Sequence, residues 1–111
     1  MIRFFLALFF LSRPTFGQDR ATVETRVAAA QSAFDAGGWE EAARLTQGPR
    51  DQPPELDFLR GLALSRLEKW DEAKLAFEMG ARKSPRDSRF PIELAGIAYK
   101  QKDFRLAKKD L

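Results

Sequence analysis

The chain has no cysteine and no histidine among its 111 residues. Without cysteine there can be no disulfide scaffold, no thiolate zinc site and no thiol nucleophile. Without histidine the commonest general base and the commonest metal ligand are missing as well. Most hydrolytic triads and zinc centres are excluded on composition alone. Long apolar runs are missing too: Phe4 to Leu11 is 8 residues long, against the roughly 20 that span a bilayer. No phosphate-cradling G-x-x-x-x-G-K is present, and Gly37-Gly38 reads as a turn between helices. What remains is 44% hydrophobic and 32% charged, with 7 glycines and 6 prolines. That is the composition of one folded domain, not of a disordered tail, a collagen-like repeat or a multi-span membrane protein.

The first residues stand apart from the rest. Met1-Ile2-Arg3 is a short positive start, Phe4 to Leu11 an apolar run, and Thr15-Phe16-Gly17 a small-x-small pattern before polar Gln18. This three-part layout predicts a secretory signal peptide over residues 1–17, cleaved after Gly17. The alternative is a buried N-terminal helix, which Arg13-Pro14 would break straight after the run. The expected location is therefore exported, periplasmic or secreted, with no transmembrane span in the mature chain.

Removing residues 1–17 takes away Arg3 and Arg13 and lowers the formal charge from +3 to +1. Nucleic-acid binding wants a strong positive excess, so no nucleic-acid partner is expected. The charge is uneven, at −4 over residues 18–81 and +5 over residues 82–111. A solvated surface explains this most simply; a basic end that meets anionic lipid or polymer is the alternative.

An internal repeat organises residues 18–111. An aromatic residue stands three places before an alanine in each of three segments: Trp39 and Ala42, Trp70 and Ala73, Phe104 and Ala107. A small residue stands twelve places before each alanine: Ala30, Gly61 and Ala95. The offset is 31 residues between the first and second units and 34 between the second and third. Apolar residues inside the units recur at helical spacing, as in Leu56, Leu59, Ala63, Leu64 and Leu67. Breaks fall at 49–54 and at Ser84-Pro85-Arg86-Asp87-Ser88, with Ser88 a natural N-cap. Six helices in pairs follow: about 21–36 with 39–47, 54–67 with 70–83, and 88–101 with 104 to the end. The units cover about 21–48, 54–85 and 88–111.

With these residues in view, the middle unit resembles the tetratricopeptide pattern W-x2-L-G-x2-Y…A-x3-F…P at Gly61, Ala73, Phe77 and Pro85. Leu64 stands in for the tyrosine, whereas Asp57 and Arg60 depart from the pattern. The third unit carries Ala95 and Ala107, and the first carries Ala30 and Ala42 in a degenerate form. The resemblance implies an all-α fold, a right-handed superhelical stack of antiparallel helix pairs. Ala30, Ala42, Gly61, Ala73, Ala95 and Ala107 are then small where helices cross, and Trp39, Trp70, Phe77 and Phe104 fill the gaps. Gly80 replaces the usual alanine, at about 1 kcal/mol of helix propensity, and Gly96 carries the same cost.

Sharper roles for individual residues are weaker than these. Glu40-Glu41 and Asp71-Glu72 sit where second helices begin and suit the helix dipole better than acid–base work. Trp39 and Trp70 are better read as packing residues than as ligand platforms. Lys109-Asp110-Leu111 lacks the glutamate of an endoplasmic-reticulum retention tail. No catalytic residue, metal or cofactor is expected.

The resemblance also implies a concave groove, lined by the first helix of each pair, that grips another protein or peptide. By register it would hold Val27, Gln31 and Phe34; then Glu55, Phe58, Leu62, Ser65 and Arg66; then Arg89, Ile92, Gly96, Tyr99 and Lys100. Phe58, Leu62 and Tyr99 are the expected apolar anchors, with Arg66, Arg89 and Lys100 as a charged rim. The expected function is a non-enzymatic, exported scaffold for protein–protein interaction. The alternatives are an accessory or N-terminal fragment of a larger exported enzyme or envelope assembly protein, and a basic envelope-surface adapter. The last helix reaches the end of the chain in full apolar register, so further repeats, a partner or self-association is expected to cover that end.

Overall fold

The computed structural model describes the backbone of residues 18–109 and the side chains of 22–103. The expected signal peptide, and the side chains of Phe104 and Ala107, lie outside the described residues. All regular structure among the described residues is helical: α1 (Gln18–Asp35), α2 (Trp39–Leu45), α3 (Pro54–Arg66), α4 (Trp70–Lys83) and α5 (Arg89–Lys109). Each helix packs on its neighbour in sequence, and α1 also reaches α3.

Local chemistry sets most of the boundaries. Pro54 opens α3 at a position where a missing N–H is harmless. Glu40 and Glu41 lie in the first turn of α2, and Asp71 and Glu72 in that of α4, each facing the positive end of the helix dipole. Arg82 and Lys83 occupy the last turn of α4, where cations are favoured.

The turns inside the first two units repeat bond for bond. Gly37 N–H donates to Phe34 C=O (3.0 Å) and Gly38 N–H to Ala33 C=O (2.8 Å). Thirty-one residues on, Glu68 N–H donates to Ser65 C=O (3.0 Å) and Lys69 N–H to Leu64 C=O (2.9 Å). The following helices open alike, Ala42 N–H on Gly38 C=O and Ala73 N–H on Lys69 C=O, both 2.9 Å. Each turn needs one left-handed residue: Gly37 with φ 84° and Glu68 with φ 60°. Glycine takes that conformation freely, whereas a glutamate there costs about 1–2 kcal/mol.

The third unit departs from the expected pair. Helices at 88–101 and 104 onward are in fact the single helix α5, which continues through Gln101-Lys102-Asp103. Lys102 holds the place of Glu68 at the 34-residue offset, and no glycine or proline breaks the segment. Staying helical there avoids a strained left-handed lysine. Ala95 changes meaning as a result. The repeat register expects it at a close helix crossing, but among the described residues no second helix folds against it and it is exposed. The cap shifts as well: Asp87 Oδ1, not Ser88, accepts the Arg89 N–H (3.0 Å).

The core lies between α3, α4 and α5, where Leu64, Ala73, Phe77, Phe90 and Ile97 form a buried cluster. Phe58, Phe77 and Phe90 meet pairwise with ring centroids 5.5–6.4 Å apart and tilted or edge-on planes, a geometry that adds about 0.5–1.5 kcal/mol per pair to area burial. The expected structural positions Ala30, Ala42, Gly61, Ala73 and Phe77 are all buried; Trp39 and Trp70 are half-buried and Pro85 is exposed. Gly80 has its own reason to be glycine, since a Cβ there would enter the Phe90 ring.

Candidate functional site

The departures at Asp57 and Arg60 form a polar strap. Asp57 is only 2% exposed. Its Oδ2 accepts from Lys83 Nζ (2.7 Å) and its Oδ1 from Gln52 Nε2 (3.1 Å). Gln52 Nε2 also donates to Thr46 C=O (3.0 Å), and Lys83 Nζ to Gln52 C=O (2.7 Å). Arg26 on α1 donates to Leu45 C=O (3.2 Å) and Gln47 C=O (3.0 Å), and Arg60 to Ala43 C=O (2.9 Å). These bonds tie the 46–53 loop to α1, α3 and α4 and satisfy groups that burial would otherwise penalise. Every member is engaged internally, so the strap is scaffold.

A cleft of about 680 Å³ opens between the C-terminal half of α3, the start of α4 and one side of α5. Leu62, Trp70 and Ile97 give it apolar walls, and Gly96 leaves room by having no side chain. Arg66 and Lys100 bring positive charge; Glu68, Glu93 and Asp103 bring negative charge. The Ser65 hydroxyl in the wall is sealed from solvent and makes no hydrogen bond. The cleft thus has an apolar interior and mixed charges around it, which suits a peptide-like ligand better than a strongly charged polymer.

Five residues placed by register meet here: Leu62, Ser65, Arg66, Gly96 and Lys100. Phe34 connects indirectly, because the Arg66 guanidinium lies 5.7 Å from its ring centroid and 5.3 Å from that of Trp39. Phe34 and Trp39 themselves stack edge-on at 4.9 Å. Phe58, an expected anchor, is half-buried against Phe77 and Phe90, with the Arg89 guanidinium 4.3 Å from its ring centroid. Arg89 also pairs with Glu55 (3.1 Å) and Asp87 (2.8 Å). Those hydrogen bonds raise the Arg89 pKa further and hold the Asp87 carboxyl below its ordinary range. Phe58, Glu55 and Arg89 therefore form one closed cluster outside the cleft.

The remaining expected residues lie elsewhere. Val27 is half-buried on α1, and Gln31 is exposed with its side chain on Asp35 (2.9 Å). Ile92 and Tyr99 are 65% and 67% exposed on α5 and do not line the cleft. Trp70, Ile97, Glu68 and Asp103 were missed as lining residues. The groove register considered only fixed positions on first helices, whereas the cleft also takes in the start of α4 and a further turn of α5.

Among the described residues, no group of three or more acidic side chains is placed to hold a metal ion, and no helix is long and apolar enough to cross a membrane. Comparison with protein families, with curated proteins and with solved structures gave no match to this chain.

Proposed function

We propose that this chain is a non-enzymatic, exported helical-repeat scaffold of tetratricopeptide type that binds a segment of another protein in the α3–α4–α5 cleft. The observation that carries the reading is the meeting of Leu62, Ser65, Arg66, Gly96 and Lys100 around one opening. All five occupy positions on the first helix of a repeat unit. The bond-for-bond repetition of the first two turns supports stacked antiparallel helix pairs as the architecture. Leu62 and Ile97 supply the apolar contact that a buried side chain of the partner needs, and Arg66 and Lys100 orient its polar backbone or acidic groups.

The test is affinity for a partner recovered with the exported chain. Leu62→Glu should weaken binding about five- to thirty-fold, as expected for loss of an apolar anchor worth about 1–2 kcal/mol. Leu75→Glu alters a residue that is 56% exposed and outside the cleft, and should leave binding unchanged. Equal effects of the two substitutions would refute the assignment of the cleft.

A further inference from the structure

Of the three carboxylates that line the cleft, Glu68 and Asp103 are exposed and Glu93 is half-buried. The Glu93 side chain makes no hydrogen bond and no ion pair among the described residues. Its place in the repeat is an unusual one for a charge. At the 34-residue offset it corresponds to Leu59, which is 1% exposed.

The cations around Glu93 are occupied or distant. Arg89, one turn before it on α5, donates to Asp87 and Glu55 and lies over the Phe58 ring. Arg66, on the α3 wall, rests against the rings of Phe34 and Trp39. Lys100 lies two turns further along α5, about 10.5 Å along the helix axis. Space for an incoming group is present, since Gly96, one turn from Glu93, has nothing within 4 Å of its missing Cβ. Ile97, also one turn on, and Leu62 bring apolar surface to the same cleft.

A partner that covers this cleft takes water away from the Glu93 carboxylate. Apolar contacts alone would leave that charge stranded, at a cost that an incoming cation offsets. We infer that the bound segment sets a lysine or arginine against Glu93 and a bulky apolar side chain on Leu62 and Ile97. The inference rests on the cleft being the protein-binding site. Glu93 then decides which segments are accepted, because an acidic residue beside it is repelled and a neutral one leaves it desolvated. Lys100 carries the opposite sign two turns away, so the segment docks in one direction, its basic residue toward the start of α5.

The probe is a library of random displayed peptides selected on the full chain. Selected peptides are expected to carry lysine or arginine within a few residues of a bulky apolar residue; peptides without a basic residue overturn the inference. One basic peptide is then titrated against the natural chain and against Glu93→Gln, Glu93→Lys and Leu62→Ala. Glu93→Gln keeps the size of the side chain and should weaken binding about tenfold, with helix content unchanged by circular dichroism. Replacing the peptide's basic residue by glutamate should abolish binding to the natural chain and restore it with Glu93→Lys. Binding weakened by Leu62→Ala but not by Glu93→Gln overturns the inference and leaves the cleft assignment standing. Binding indifferent to Leu62→Ala, or no selected peptide at all, overturns the cleft assignment and this inference with it.

Discussion

Gly61 on α3 lies against the ring of Phe77 on α4 so closely that a Cβ at residue 61 would enter the ring. Phe77 is fully buried and cannot step aside without disturbing Phe58 and Phe90. Three glycines therefore differ in what alanine would do. Gly61→Ala and Gly80→Ala gain about 1 kcal/mol of helix propensity but overpack by about 1–3 kcal/mol, a net loss of up to about 2 kcal/mol. Gly96 has nothing within 4 Å of its missing Cβ. Gly96→Ala should stabilise the fold by about 1 kcal/mol. Urea denaturation of the three variants checks the signs, and a destabilised Gly96→Ala would contradict the open surroundings described for it.

The polar strap makes a second prediction. Asp57 is buried and Lys83 largely so, with side chains 2% and 23% exposed. Removing one partner strands the other, so Asp57→Ala should cost about 3 kcal/mol. The double variant Asp57→Leu/Lys83→Met leaves no stranded charge and should recover part of that loss. A double variant worse than the sum of its parts, measured by the same denaturation, would show that the pair is not coupled in this way.

A third concerns acid. The Asp87 carboxyl is held below its ordinary range by hydrogen bonds from Arg89. A carboxyl with a depressed folded-state pKa contributes stability above its unfolded value, and the contribution fades as pH falls through the folded one. Asp87→Asn should lower Tm slightly at pH 7, and the difference should shrink below about pH 4. A difference that persists undiminished at pH 2 would mean that the Arg89 contact is not what Asp87 contributes.

The first two units were legible in the sequence because their signals are steric. Small residues at 30, 42, 61 and 73 and a large one at 77 record close packing directly, and the structure buries all five. The third unit was harder to read. Phe104 and Ala107 continue the apolar spacing of the repeat, but spacing alone does not distinguish a helix that turns back from one that runs on. That choice rests on one backbone conformation at Lys102, for which neither glutamate nor lysine carries a signal. The strap was hidden for a different reason: Arg26, Gln52, Asp57 and Lys83 are distant in sequence and converge only through the fold. Phe58 looked like a free anchor because the register could not show Arg89 folding over its ring.

Site-resolved photo-crosslinking tests the proposed interaction most directly. A photoreactive residue is placed in turn at Leu62, Ser65 and Lys100 in the cleft, and at Leu75 and Gln31 outside it, and the chain is irradiated in the cells that make it. The account predicts one recurrent protein partner joined from the three cleft positions and not from the two outer ones. Crosslinks to that partner from Leu75 and Gln31 with none from the cleft would contradict it.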